Sequence, residues 1–293
     1  MGAFQFASMI HHPNSNAPAA DHSPVVREET CTVATARRVA AMLDLDPGNL
    51  ANGQPLPLGW HFVMLAADTR RSDLRADGFP GLGVPMPDIG LPRLMLGSRT
   101  VSFVAELRIG AHVTRASQVR NITRKATASG DMAIVTIEHG LTSAGQGQAD
   151  LVETQTYLLL PPRTPSTSTA SGIPDAPVRA DHVKTVVADE TMLFQYCALG
   201  FNSHRIHLDR EHARQVEGFP DLVVNGGLAT LLLTEFLRLD LHLRPRSLAI
   251  RHVLPLYCNR PITLTANRTG DKWRLQALDE LRRLAVDMEV EIQ

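Results

Sequence analysis

Apolar residues recur near helical spacing between residues 34 and 45, and this pattern predicts the first helix of the chain. Thr32 or Thr35 stands where its hydroxyl can cap the free amides at the helix start. A Pro-Gly pair at 47–48 ends the helix. The irregular stretch that follows, 52–97, is rich in Pro and Gly, and loops of this length inside a compact domain are usually functional.

After residue 98 the pattern changes to short β-type runs that are separated by Gly or polar breaks. The runs in the first half of the chain are RTVSFVAELRI, HVTRASQVRNITRKAT, MAIVTIEHGLTSA and LVETQTYLLL. Four further runs close the chain: SLAIRHVLPLYC, PITLTANRT, WRLQALDE and LAVDMEVEI. Antiparallel strands fit both sets, and the similar endings of the two halves make a duplication plausible.

Between these two sets of strands lie the strand-like run HVKTVVA, the helical run ETMLFQYCALG and the run GLATLLLTEFLRLDL. The last run is apolar almost without interruption, which is typical of a fully buried helix. A buried helix followed by an antiparallel sheet predicts an α+β architecture with the helix packed on one sheet face. The first half of the chain shows no clear equivalent of this helix.

The composition of one segment divides the chain into domains. Residues 161–177, PPRTPSTSTASGIPDAP, are dominated by Pro, Ser and Thr, which is typical of a linker. We therefore predict a flexible N-terminal tail over 1–30, a first domain over 31–160, a linker over 161–180 and a second domain over 181–293.

Composition and charge exclude several classes of protein. With 44% hydrophobic and 20% charged residues the chain is typical of a globular protein. Lys and Arg total 29 against 30 Asp and Glu, so we expect neither nucleic acid nor a membrane surface as partner. The cysteines lack the spacing of zinc sites or disulfide frameworks. No run approaches the roughly 18 apolar residues of a membrane span, and no targeting pattern opens the chain, which favours a cytoplasmic location.

The densest group of chemically active side chains lies in LGFNSHRIHLD, residues 199–209. Asn202, His204, Arg205 and His207 fall there in one predicted loop after a helix. Neutral imidazole can remove a proton from water, its protonated form can return one, and a neighbouring carboxamide can hold the water. From the residue types alone, polar groups with a surface or supporting role are an equal alternative.

Two adjacent glycines, Gly226 and Gly227, open the predicted buried helix. They fit a tight turn before a helix. They also fit a binding role, because Gly lets a ligand approach the backbone and the free amides at a helix start can polarise a carbonyl oxygen. A conjugated thioester needs such polarisation to make its β-carbon electrophilic.

The run FNSHRIHLDREHA, followed by EGFPDLVVNGGLATLLL, resembles the C-terminal half of the hydroxyacyl-thioester dehydratase type 2 family, which includes 3-methylfumaryl-CoA (mesaconyl-CoA) and itaconyl-CoA hydratases. PLPLGWHFVML and PMPDIGLPRLMLGSRTVSF resemble the N-terminal domain of that family. The resemblance extends from residue 35 to the C-terminus without the linker. It implies a double hot-dog fold, each half an antiparallel sheet wrapped on a helix, and reversible hydration of a 2-enoyl-CoA without metal or cofactor.

The resemblance also implies roles for the loop residues. The wider hydratase superfamily uses a loop of the form Gly-Asp-x-Asn-Pro-x-His, and aligning its last histidine places His207 on the catalytic His, Asn202 on the Asp and His204 on the Asn. We therefore expect His207 to be the acid–base group, Asn202 to orient the water and His204 to support one of them. The catalytic carboxylate of the superfamily is absent from this loop.

Other substrate-binding candidates are more weakly marked. Asn225 stands before the two glycines where relatives usually have His, so it could alter substrate fit. Arg93 and Arg205 are candidates for a substrate carboxylate or a CoA phosphate, because guanidinium binds such groups with two hydrogen bonds; solvated arginines are the alternative. Trp60 and His61 either line the acyl pocket or anchor the fold.

Competing functions remain open at the level of sequence. An unsaturated dicarboxylic acyl-CoA is the favoured substrate, and a 3-hydroxyacyl-[acyl carrier protein] dehydratase is the nearest rival. A non-catalytic acyl-thioester binding module is a second class. A metal hydrolase on His204, His207 and His212 lacks a known ligand spacing, and Glu235 is the carboxylate that a thioesterase would use. Either a monomer or a homodimer is physically reasonable.

Overall fold

The computed structural model describes residues 23–86, 89–127, 130–162 and 178–293. These residues form one antiparallel sheet of ten strands. The strands are β1 Val25–Glu29, β2 Arg93–Phe103, β3 Val113–Thr127, β4 Gly130–Ser143, β5 Leu151–Leu160, β6 His182–Val187, β7 Pro245–His252, β8 Pro261–Thr269, β9 Lys272–Leu278 and β10 Leu284–Ile292.

The sheet consists of two halves with the same internal strand order. Its full order is β1-β3-β4-β5-β2-β7-β10-β9-β8-β6, so the first five strands and the last five mirror each other across the β2–β7 seam. The seam is antiparallel and pairs Ser98 with Arg251 and Ser102 with Ser247 at its two ends. This repeated order agrees with the duplication that the two similar sets of strands predict.

The helices lie between the first and second strands of each half. They are α1 Val33–Met42, α2 Glu190–Leu199, α3 Arg210–Gln215 and α4 Gly226–Glu235. The hydroxyl of Thr32 caps α1 by accepting a hydrogen bond from the amide of Thr35. In α4 every side chain from Leu228 to Glu235 is buried, as the uninterrupted apolar run predicts, and the helix shares a core with the second half of the sheet.

The two halves of the sheet differ in the types of residue that their strands bury. In the second half, β7 to β10 bury apolar residues such as Ile250, Leu264, Leu275 and Met288. In the first half, the corresponding strands bury polar residues, namely Arg99, Arg115, Ser117, His139, Glu153 and Gln155. The inner face of the first half is therefore mixed, since Ile137 and Leu141 are buried on the same face as His139, and such a face is less favourable for a long apolar helix to cover.

Some predicted boundaries differ from the structure. Residues 25–29 belong to β1, although the predicted flexible tail included them. They form a strand because their backbone pairs with β3. Strand β2 ends at Phe103 and β7 at His252, so the last residues of both predicted runs form loops. The bulk of the predicted linker, 163–177, lies outside the described residues.

Two further features concern the whole chain. Cys31, Cys197 and Cys258 are buried and free. Within the described ranges, none of the helices is both long and apolar enough to cross a membrane.

Candidate active site

A cavity of about 220 Å³ opens at the junction of the two sheet halves. Its wall combines strands β2, β5 and β7 with α2, the loop after α2 and the start of α4. The predicted site residues that line it are Arg93, Asn202, His204, His207, Asn225, Gly226 and Gly227. The structure therefore brings the His-rich loop and the two glycines together, although they are separated in the sequence.

The loop after α2 is shaped by a left-handed residue and by a hydrogen bond between a side chain and the backbone. Phe201 has a positive φ of 46° and turns the chain away from the helix end. The side-chain oxygen of Asn202 then accepts a hydrogen bond from the amide of His204 at 3.0 Å, which is the turn that Asn favours. This bond leaves the amide group of Asn202, rather than its oxygen, for other contacts at the cavity wall.

The hydrogen bond of His207 fixes which of its nitrogens carries the proton. Nδ1 lies 2.7 Å from the carbonyl oxygen of Val223, and because a carbonyl can only accept, Nδ1 must donate. Neutral His207 therefore presents an unprotonated Nε2. Burial, together with the nearby His204, lowers the pKa of His207 to about 3, so the ring is neutral near pH 7 and can accept a proton.

The side chain of His204 lies near a carboxylate that belongs to the first half of the chain. Its Nε2 is 3.5 Å from an Oδ atom of Asp77, and its ring contacts those of Phe79 and His207 edge-on at 5.5 and 5.6 Å between centroids. Burial lowers the pKa of His204 to about 4, and the Asp77 carboxylate opposes this shift. Asp77 thus supplies negative charge beside the two histidines of this loop.

The loop around Asp77 packs directly on the His-rich loop, residues 200–209. The carbonyl of Asp77 accepts from the amide of Arg205 at 2.8 Å, and the carbonyl of Gly78 accepts from the Ser203 hydroxyl at 2.6 Å. A Cβ on Gly78 would lie 2.5 Å from the Ser203 carbonyl oxygen. A larger residue at position 78 would force these two loops apart.

The start of α4 offers free backbone amides to the cavity. The first helical hydrogen bond runs from Ala229 N to Asn225 O at 3.0 Å, so the amides of Gly226, Gly227 and Leu228 precede it. A Cβ on Gly227 would lie 2.2 Å from the Tyr196 hydroxyl. Glycine is therefore required at this position by the close approach of Tyr196.

The side chain of Asn225 makes its contact inside the protein and does not cap α4. Its side-chain amide contacts the Sγ atom of Cys197 on α2 at 3.5 Å, and only 3% of Asn225 is exposed. Asn225 therefore ties the start of α4 to α2 at the edge of the cavity.

The candidate arginines and Trp60 are placed differently from one another. Arg93 lies at the cavity wall, where its Nε is 3.3 Å from a carboxylate oxygen of Glu217. Arg205 does not reach the cavity: its guanidinium pairs with Asp209 at 2.7 Å and is half exposed. Trp60 is buried outside the cavity.

Trp60 and His61 hold the fold together by hydrogen bonds to buried carboxylates. Trp60 Nε1 donates to Glu235 at 2.8 Å, and His61 Nε2 donates to Glu153 at 2.7 Å. Glu235 also pairs with Arg238 and lies outside the cavity, so it is not placed for the thioesterase role. Of the two alternatives for Trp60 and His61, the structure supports the role as fold anchors.

The metal-hydrolase alternative gains no support. Among the residues whose positions are described, no three His, Cys, Asp or Glu side chains are arranged to hold a metal ion. Both ring nitrogens of His212 are buried without a hydrogen-bond partner in the described part of the chain, and His212 does not line the cavity.

Several residues of the site escaped the sequence interpretation. The main ones are Asp77, Arg99, Tyr157, Tyr196 and His252. Arg99 and His252 lie on β2 and β7 at alternate positions that otherwise bury apolar residues. A charged residue at a core-facing strand position is the pattern that could have marked them. Asp77 had no such mark, because it lies in an irregular loop.

The amino-acid sequence is similar to that of known proteins. The model of the family described as hydroxyacyl-thioester dehydratase type 2 matches residues 59–258. The chain is 34% identical to mesaconyl-C(4)-CoA hydratase from Chloroflexus aurantiacus over 257 residues, which is 86% of this chain and 89% of that protein.

Solved structures share the fold at low sequence identity. A MaoC-like dehydratase from Phytophthora capsici superposes with a TM-score of 0.68 at 14% identity, covering 93% of this chain and 96% of that one. HtdX from Mycobacterium tuberculosis superposes with a TM-score of 0.63 at 16% identity, covering 92% and 99%. These similarities confirm the predicted α+β class and double hot-dog arrangement.

Proposed function

This chain belongs to the hydroxyacyl-thioester dehydratase type 2 family, and from that premise we propose that it reversibly adds water to the carbon–carbon double bond of a 2-enoyl-CoA. The observation that carries the proposal is one cavity in which an unprotonated histidine nitrogen, Nε2 of His207, shares the wall with the free amides of Gly226 and Gly227. A base and a carbonyl-binding group are the two elements that such a hydration needs.

The reaction divides into two steps. In the first, Nε2 of His207 takes a proton from water while the water oxygen bonds to the β-carbon, and the electrons of the double bond move onto the thioester oxygen. The amides at the start of α4 stabilise this enolate-like oxygen. In the second, the imidazolium of His207 returns the proton to the α-carbon, and the thioester carbonyl re-forms.

The remaining loop residues act through His207 and the water. The side-chain amide of Asn202 orients the water. His204 supports His207 from an edge-on position, and Asp77 offsets positive charge that builds up on the two histidines during proton transfer. In this way a carboxylate from the first half takes over part of the role that the superfamily assigns to the loop itself.

The favoured substrate is an unsaturated dicarboxylic acyl-CoA such as 3-methylfumaryl-CoA or itaconyl-CoA. The identity to a mesaconyl-C(4)-CoA hydratase supports this choice. A 3-hydroxyacyl-[acyl carrier protein] dehydratase and a non-catalytic acyl-thioester binding module are the alternatives. A cytoplasmic location and a homodimer stay predictions, as does contact of Arg93 or Arg205 with CoA phosphates.

The first experiment compares wild type with His207→Ala on 3-methylfumaryl-CoA, itaconyl-CoA and crotonyl-CoA. Loss of the ultraviolet absorbance of the conjugated enoyl thioester reports hydration. We expect turnover by wild type and a loss of roughly 100-fold or more in His207→Ala, because a placed acid–base group contributes that much. The control is His182→Ala, which changes an exposed histidine on β6.

Each result has a defined meaning. Normal turnover by a folded His207→Ala protein would refute the assignment of the base. If wild type changed none of the CoA thioesters but acted on crotonyl-[acyl carrier protein], the carrier-protein alternative would replace the CoA proposal. Binding of the thioesters without any turnover would establish the binding module.

A further inference from the structure

Arg99 places a buried cation beside the start of α4. It lies on the inner face of β2, lines the cavity and is 9% exposed. Its Nη2 atom is 3.6 Å from the position that a Cβ on Gly227 would occupy. The guanidinium is therefore next to the amides that we assign to the thioester carbonyl, within the reach of a short acyl chain.

The carboxylate that accompanies Arg99 already has other partners. Glu153 lies 3.2 Å from Nε of Arg99, but it accepts hydrogen bonds from His61 at 2.7 Å and from the side chain of Gln155. Burial raises the pKa of Glu153, yet Arg99 and His61 outweigh burial and lower it to about 2. Glu153 is thus a charged and well-bonded carboxylate that keeps Arg99 protonated and in place.

The guanidinium itself is not saturated. Its Nε is buried 3.2 Å from the Glu153 carboxylate without hydrogen-bond geometry, and its two terminal nitrogens make no hydrogen bond within the described residues. Guanidinium has five N–H donors in a planar fork that matches a carboxylate. Because Arg99 lines the cavity, its terminal donors are open to an acceptor that enters it, and a carboxylate can accept from two of them at once.

The rest of the cavity does not supply that acceptor. Among its described lining residues the one carboxylate is Glu217, which pairs with Arg93 at the wall. Burial lowers the pKa of His207 and His252 to about 3, so these rings are neutral. Arg99 is therefore the lining arginine that no lining carboxylate pairs, although Glu153 behind it balances its charge, and Leu94, Met95 and Leu96 also line the cavity.

We propose that Arg99 determines substrate specificity by binding the carboxylate at the far end of a short acyl chain whose thioester carbonyl lies at the start of α4. This inference rests on the proposed hydratase function and adds the residue that selects an acyl group ending in a carboxylate. It replaces Arg205, which points away from the cavity, in that role.

The test uses fumaryl-CoA and crotonyl-CoA, which share a 2-enoyl thioester and differ by a carboxylate in place of a methyl group. The variant is Arg99→Gln combined with Glu153→Gln, because Arg99→Gln alone would leave the buried Glu153 carboxylate without its permanent cation, with only His61 and Gln155 as partners. We expect wild type to prefer fumaryl-CoA in kcat/KM and the double variant to lose about tenfold or more of that preference, the effect of one lost charge-assisted hydrogen bond. Arg93→Gln is the matched variant, because it removes the other cavity arginine.

A binding measurement separates this proposal from the hydratase proposal. Calorimetry with freshly prepared succinyl-CoA and butyryl-CoA compares a carboxylate with a methyl group without any turnover. Suppose that wild type hydrates neither enoyl-CoA and yet binds succinyl-CoA more tightly than butyryl-CoA. If the double variant then loses that difference in affinity, the hydratase proposal is wrong and the Arg99 carboxylate site is supported. Three results would overturn the Arg99 site. They are an unchanged carboxylate preference in the folded double variant, a loss of that preference only in Arg93→Gln, and a wild type that prefers the methyl-ended thioesters.

Discussion

The contact between the side chains of Asp77 and His204 could not be predicted from the sequence. The two side chains are 3.5 Å apart but belong to different halves of the chain. Both oxygens of Asp77 are also used locally, since Oδ1 accepts from the Phe79 amide at 3.0 Å and Oδ2 pairs with Arg75. The carboxylate is therefore fixed in position before any substrate binds, which is the condition for electrostatic support of a catalytic group.

We predict that Asp77→Asn lowers kcat about tenfold while KM changes little. Asn keeps an oxygen for the Phe79 amide but removes the negative charge that stabilises protonated histidines in the transition state. Initial rates over a range of enoyl-CoA concentrations measure both constants. Asp73→Asn, an exposed position in the same loop, is the control, and an unchanged kcat in Asp77→Asn would remove Asp77 from the mechanism.

At the scale of elements, the short helical turn Trp60–Met64 is fastened to α4. Trp60 is 1% exposed and donates to Glu235, while Arg115 of β3 donates to the carbonyl of Met64 at 2.8 Å. These contacts hold the long loop of the first half against the helix whose first turn forms the site. The loop is therefore ordered by a few buried hydrogen bonds instead of by regular structure.

We predict that Trp60→Phe reduces the free energy of unfolding by about 1–3 kcal/mol. The substitution removes one hydrogen-bond donor from the buried Glu235 carboxylate and reduces the packed volume. Chemical denaturation measures this change. A normal stability with a raised KM for enoyl-CoA would instead place Trp60 in the acyl pocket.

At the scale of the whole molecule, burial keeps several histidines uncharged. Burial lowers the pKa of His139 and His204 to about 4, and that of His207 and His252 to about 3. They lie on β4, the His-rich loop after α2 and β7, so both halves of the chain share this property. In the unfolded chain each would titrate near pH 6.5.

These shifts predict loss of stability in mild acid. Because the folded pKa values lie below the unfolded one, the unfolded chain binds more protons below pH 6.5, and stability falls as pH falls towards 4. Each histidine contributes up to about 1.4 kcal/mol per pH unit in that window. Denaturant titrations at pH 7, 6 and 5 measure the slope, and His139→Gln should reduce it by one proton; equal stability at pH 7 and 5 would contradict the prediction.

Much of the fold and part of the site could be predicted because they depend on local patterns. The uninterrupted apolar run predicted buried α4, the alternating runs predicted nine of the ten strands, and the His-rich segment fell in a loop after α2 as expected. The exception was β1, a five-residue strand whose short polar and apolar alternation is too brief to stand out from a tail.

The amino-acid sequence by itself determined that His207 and the Gly226–Gly227 pair occupy a loop and a helix start, because these depend on neighbouring residues. Tertiary structure alone decided that Asp77 faces His204, that Arg99 rather than Arg205 reaches the cavity, and that Trp60 donates to Glu235 outside the cavity. The physical reason is that a polar side chain takes its role from what lies across from it. Burial and pairing between distant segments are set by strand register and loop packing, and alternation along one strand does not encode them.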